Sequence, residues 1–206
     1  MDINTLYDAA LTVLLFVILV APHEFAHAWV AMRLGDDTPV LQGRVTLNPL
    51  VHIDWVGTVI LPAVASMFSG ALFGWGKPVL TNPNKLRGGL NGLVKVALAG
   101  PAMNLLLAVP FAVLAGLLYG KEPAIFAFCF RATVLTIFLA IFNMMPVPPL
   151  DGSKLLIAAR VPVSVMDGLY RFGFLLLILA MIGTPLGHWM GSISEWAAIS
   201  MIRLFI

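Results

Sequence analysis

The chain has 206 residues, of which 60% are hydrophobic and 11% charged, with 12 Lys+Arg against 10 Asp+Glu. So few charges cannot cover a soluble globule of this size, where about 25% is ordinary, and a mean hydropathy of +0.97 also excludes a disordered chain. The composition is that of a polytopic membrane protein, and the near balance of charge argues against a nucleic-acid-binding surface.

The first apolar run extends from about Ala9 to Met32, interrupted only by His23, Glu24 and His27, and is closed by Arg33, Gly35, Asp36 and Asp37. Crossing the hydrocarbon takes roughly 20 helical residues, which this run supplies. Residues 1–10 contain Asp2 and Asp8 but no Lys or Arg, so the basic start of a signal peptide is missing. The run reads as a retained transmembrane helix. Residues 34–54 are mixed: Gly43–Leu47 alternates in the manner of a short strand, and Asn48-Pro49 reads as a turn. The apolar stretch from Trp55 to Phe73 holds Gly57, Pro62, Ser66, Ser69 and Gly70, which make it a poor uninterrupted helix. The loop segments Gly74–Pro78 and Thr81–Gly89 follow.

Val96–Tyr119 is uncharged and forms a span with an expected kink at Gly100-Pro101. Ala124–Met145 forms another, with Arg131 near its start, and runs directly into a Pro-rich stretch, Asn143–Gly152. Residues 153–171 read as a loop or surface helix, Phe172–Trp189 as a further span loosened by Pro185, and Ser192–Ile206 as at best amphipathic. The single cysteine, Cys129, excludes an intramolecular disulfide and reads as packing. The expectation is an all-α polytopic membrane protein with about 4–6 membrane segments and a short β-like loop after the first helix. Residues 1–206 form one domain in this reading, with a catalytic core over about 9–155 and C-terminal membrane segments over about 160–206.

The chemistry concentrates in His23-Glu-Phe-Ala-His27. Residues four apart share a helix face, so two imidazoles can hold one Zn²⁺, with the glutamate between them set to take a proton from a water polarised by the metal. Three ionisable residues inside an apolar helix cost several kcal/mol unless paired or functional. The competing reading is a pair of buried, hydrogen-bonded histidines. Zinc needs at least one further protein ligand. Asp151, delivered by an extended segment behind Pro146, Pro148 and Pro149, is the leading choice; as alternatives, Asp151 caps the helix that follows it, or Glu195 supplies the ligand.

His23-Glu-x-x-His27 together with Asn143-x-x-Pro-x-x-Pro-Leu-Asp-Gly152 resembles the site-2 protease family of intramembrane zinc metalloproteases. Ala99-Gly-Pro-Ala-Met-Asn104 resembles the family's middle transmembrane helix. Gly43-Arg-x-Thr-Leu-Asn-Pro-Leu-x-His-x-Asp-x-x-Gly57 and Gly76-Lys-Pro-Val79 resemble its compact prokaryotic branch. The match spans most of residues 20–155. It implies His23, His27 and Asp151 as zinc ligands, Glu24 as general base, and Asn143 as a donor to substrate or oxyanion, where an amide suits developing negative charge. Asn143 alone could equally serve the helix end, and Asn104 reads first as interhelical hydrogen bonding. His52 reads as turn packing and His188 as interfacial. No stretch has the length and polarity of a PDZ or regulatory domain, so a bare catalytic core is expected.

Lys and Arg mark cytoplasmic loops. Arg33, Arg44, Lys77, Lys85, Arg87, Lys95, Lys154, Arg160 and Arg171 fall in three loops. Placing all three inside makes Trp55–Phe73 re-entrant and sets the site nearer the cytoplasmic face of a prokaryotic plasma membrane. The expected partners are the lipid bilayer and a protein substrate with a transmembrane helix. A divalent-ion transporter would also carry intramembrane His and Asp, but has no need of Glu24 between the histidines.

Overall fold

The computed structural model describes residues 3–69 and 74–206. Among them the regular structure is helical, without a β-strand. Four described helices are long and apolar enough to cross a membrane: Thr5–Arg33, Leu90–Leu118, Pro123–Asn143 and Val163–Met181. The chain forms two compact units, Met1–Gly92 and Leu93–Ile206.

The first unit is organised on α1, Ile3–Arg33, which continues through Pro22. Its end carries the short helix α2, Thr38–Leu41. The fully buried Asp36 carboxylate accepts from the Thr38 N–H at 3.0 Å and the Asn82 N–H at 2.6 Å, tying a distant loop to the end of α1. The exposed pair Lys85–Asp37 at 2.5 Å adds a second tie. Lys85 holds the Asp37 carboxyl below its ordinary range through that hydrogen bond, but exposure leaves such a pair little stabilising effect.

Gly43–Leu47 is irregular, and no described strand lies beside it. The alternation there does not produce a ladder because its polar groups are engaged locally. The Arg44 N–H bonds the Pro39 carbonyl at 2.8 Å, the Thr46 hydroxyl accepts from the Asn48 N–H at 3.1 Å, and the Thr46 carbonyl accepts from His52 Nε2 at 2.8 Å. Asn48 and Asn82 each cap a following Pro-led turn, Pro49–Val51 and Pro83–Lys85. Asp54 caps a π-helical turn, Trp55–Ile60, through the N–H groups of Val56 and Gly57. That turn continues as α3, Leu61–Ser69, which packs on α1, with Thr12 Oγ1 and Ser66 Oγ 3.4 Å apart. The apolar helical run Trp55–Met67 is shorter than a span requires. Residues 70–73, the end of the segment read as re-entrant, lie outside the described residues.

In the second unit, α4 (Leu90–Leu118) continues through Pro101 and Pro110, and α5 is Pro123–Asn143. After Asn143 the Pro-rich stretch is a chain of tight turns, not the expected extended segment. Met144, Met145, Val147 and Leu150 each donate to a carbonyl two or three residues back. Proline fixes φ near the turn-forming value, and three prolines in four positions fold the stretch on itself. The chain then enters α6, Gly152–Ala158.

The last expected span is also displaced. Residues 163–171 do not form a surface loop or separate surface helix. They begin the run Val163–Met181, through α7 (Val163–Gly168), a π-helical turn (Leu169–Gly173) and α8 (Phe174–Gly183). Thr184-Pro185 breaks the helix because proline offers no N–H to continue it. A new helix, α9 (Leu186–Ile202), follows. Its buried residues Met190, Ser194, Ala198 and Ile202 recur every fourth position, so the helix buries a single face where composition reads the tail as at best amphipathic. That face packs on α5, where Ala108, Ala112 and Ala115 of α4 meet Cys129 and Ile137 of α5 and Ala198 and Ile202 of α9. Small side chains allow this close approach in the absence of a hydrophobic driving force between helices.

Candidate metal centre

α1 carries His23, Glu24 and His27 past its midpoint, within about a turn and a half beyond Pro22. All three are buried, at 6%, 7% and 3% exposure. The one-turn spacing brings the two imidazoles together: His23 Nε2 and His27 Nε2 lie 3.1 Å apart, with rings 4.7 Å between centroids and nearly perpendicular. Two nitrogens bound to one zinc at about 2.0 Å stand about 3.3 Å apart at the tetrahedral angle. The pair therefore fits a shared ion with a shift of a few tenths of an ångström.

Glu24 is held by the segment Gly74–Val79. The Val79 N–H donates to Glu24 Oε2 at 3.0 Å. Close contact here requires glycine at position 76, because a Cβ would overlap Val20 and sit 3.3 Å from Glu24 Oε1. The segment is fastened along its length. The Trp75 N–H bonds the Gly57 carbonyl at 3.0 Å, the Lys77 N–H bonds the His52 carbonyl at 2.8 Å, and Thr58 Oγ1 donates to the Trp75 carbonyl at 2.8 Å.

Arg44, 5% exposed, donates from Nη2 to the carbonyls of Lys77 at 2.9 Å and Pro78 at 3.0 Å, and from Nη1 to the Val51 carbonyl. Burial pulls its guanidinium below the ordinary arginine value, opposed by the Glu24 carboxylate, yet an arginine remains a cation. His52, fully buried, bonds the Thr46 carbonyl, and its pKa is lowered chiefly by burial. It is a neutral part of the loop scaffold, as turn packing implies.

In the second unit Asp151 is 5% exposed and precedes α6, but its carboxylate makes no cap to the helix N–H groups. Its side-chain oxygen instead accepts from Lys154 Nζ at 2.8 Å. The capping alternative is therefore not what the side chain does. Gly152 is pressed against the end of α5, where a Cβ would overlap the Met144 and Met145 carbonyls. This contact seats the aspartate directly beside that helix end. Asn143 Nδ2 donates to the Leu139 carbonyl at 2.9 Å, the helix-end bond, and a primary amide has a second hydrogen to offer. Glu195 is exposed on α9, and so is His188. Asn104 is fully buried; its main-chain carbonyl accepts from Thr136 Oγ1 at 3.0 Å, while its amide finds no partner among the described residues.

Arg44, Gly76 and Val79 are the residues that sequence reasoning left without a role. Arg44 enters it as a loop cation and as a member of the Gly43–Gly57 motif, with no partner assigned. The motifs around positions 43–57 and 76–79 were the available signal, but spacing alone does not tell which N–H or carbonyl they bind.

Comparison with known proteins gives a consistent result. The chain is 36% identical over 188 residues to a protein of Bacillus subtilis named as zinc metalloprotease YwhC, covering 86% of this chain and 82% of that one. It is 29% identical over 178 residues to Rip2 of Mycolicibacterium smegmatis, covering 84% and 67%. It is 34% identical over 102 residues to MJ0611 of Methanocaldococcus jannaschii, covering 50% and 52%. Both of these are also named as zinc metalloproteases. No family model matches the chain, and no solved structure does.

Proposed function

We propose, because this chain belongs to the site-2 protease family of zinc metalloproteases, that it hydrolyses a peptide bond in or near a transmembrane segment of another membrane protein. The protein is a zinc-dependent hydrolase and a polytopic membrane protein. What carries the intramembrane reading is the depth of burial of His23, Glu24 and His27 within a helix long enough to span the bilayer. A transporter is not favoured, since the relatives are named as proteases.

In this reading His23, His27 and Asp151 hold the metal; all three are buried and offer donors of the kind zinc takes. Zinc supplies Lewis acidity there, making water a competent nucleophile near neutral pH and polarising the scissile carbonyl. Glu24 accepts the proton of the attacking water on Oε1, because Oε2 is held by Val79. It then gives that proton to the departing amine nitrogen as the C–N bond breaks, leaving a carboxylic acid and an amine, and the acid's remaining proton passes to the amine to give a carboxylate and an ammonium. Asn143 donates its second amide hydrogen to the carbonyl oxygen as negative charge develops. The substrate helix unwinds locally, since a helical carbonyl is already hydrogen-bonded, and helix-weakening residues are expected near the cut. The basic loops favour a site nearer the cytoplasmic face.

The test reconstitutes purified enzyme in vesicles with synthetic transmembrane peptides carrying helix-weakening residues at varied depths, and maps the cut by mass spectrometry. Cleavage within or beside the apolar stretch is expected. Cleavage confined to soluble flanks, or none at all, overturns the reading. Asp151→Asn is expected to lower zinc affinity at least tenfold to a hundredfold, more than loss of an outer-shell partner does. Unchanged zinc content by metal analysis would remove Asp151 from the ligand set.

A further inference from the structure

The peptide group between Pro78 and Val79 is gripped at both ends. Its carbonyl oxygen accepts from Arg44 Nη2 at 3.0 Å, and its N–H donates to Glu24 Oε2 at 3.0 Å. The group is planar and its dipole runs from the N–H to the carbonyl. A cation at the oxygen and a carboxylate at the N–H therefore polarise it in the same sense, each strengthening the bond at the other end.

Arg44 is suited to this. Its flat fork of five N–H donors serves carbonyls of two separate segments, Val51 on one side and Lys77 and Pro78 on the other. The geometry also leaves the segment little freedom to slip. Gly76 lies against Val20 of α1, the Lys77 N–H is bound to His52, and Pro78 has no N–H of its own to offer Glu24.

We infer that Arg44 is a positioning residue for the hydrolysis, orienting Glu24 through the Pro78–Val79 peptide and strengthening the hydrogen bond that Glu24 accepts. The inference rests on the reading of Glu24 as proton acceptor. Fixing Oε2 in this way leaves Oε1 in a defined place for the water. If Arg44 only tied loops together, the Val79 N–H would be incidental.

The test removes that N–H, by incorporating the α-hydroxy analogue of valine at position 79 so that an ester replaces the amide; the ester carbonyl is also a weaker acceptor for Arg44, so the substitution loosens the same link at both ends. With the synthetic transmembrane peptide that wild type cuts fastest, kcat is expected to fall about tenfold to a hundredfold, the rate equivalent of one hydrogen bond to a charged group. KM and zinc content should not change. Arg44→Met should show the same split between kcat and KM, with Arg44→Lys intermediate. Combining the ester with Arg44→Met should cost no more than the larger single effect, because both break one link. An ester protein with undiminished kcat, a loss carried by KM or zinc content, or additive effects would each overturn the inference. Where Arg44→Met does not fold, the ester protein decides. Glu24→Gln in the same assay separates the two levels. If that variant cleaves, the reading of Glu24 falls. If it is inactive while the ester protein is fully active, only the role of Arg44 falls.

Discussion

Glu24→Gln is expected to lose about 10²- to 10⁴-fold in kcat, the range for removing a positioned general base, while keeping its zinc and its fold. The substitution is chosen on structural grounds. A glutamine oxygen can still accept from the Val79 N–H, so the contact at 3.0 Å survives. Glu24→Ala would instead leave that buried N–H unpaired, at about 1–3 kcal/mol, and would confuse lost chemistry with lost structure. Cleavage by purified protein, zinc by metal analysis and a thermal melt together make the case. An active Glu24→Gln protein would show that another group takes the proton.

His23→Ala and His27→Ala are each expected to strip the metal and reduce cleavage to background. The two Nε2 atoms stand 3.1 Å apart, so removing either leaves one imidazole and a carboxylate where zinc needs at least three protein ligands. His52→Ala is the matched control. It too removes a buried histidine, but one bonded to the Thr46 carbonyl, so it should lower thermal stability and leave zinc stoichiometry intact. Zinc lost from His52→Ala and retained in His27→Ala would reassign the ligands.

The membrane class and the position of the histidines were legible because both depend on local quantities. A span is a matter of apolar length, and a shared helix face is a matter of periodicity. The Ser192–Ile206 tail shows the limit of the same logic. Composition reads it as at best amphipathic, whereas the element begins at Leu186, with one face buried, because Thr184-Pro185 interrupts what composition alone joins into one span. The stretch behind Asn143 misled for a related reason. Proline density says that a helix stops, yet three prolines are compatible with an extended run or with successive turns, and the carbonyl partners of Val147 and Leu150 decide for turns.

From the sequence alone came the membrane class, the zinc-type motif on one helix face, and the expectation of a carboxylate at Asp151. These follow from side-chain chemistry and helical period, which residue names carry. Only the tertiary structure showed the groups that meet around Glu24: the Val79 main-chain N–H that it accepts from, the Gly76 that leaves room for it, and the Arg44 that holds the carbonyls of Val51, Lys77 and Pro78. The physical reason is that peptide N–H and carbonyl groups occur along almost the whole chain. No residue name tells which of them the fold will bring to a buried carboxylate.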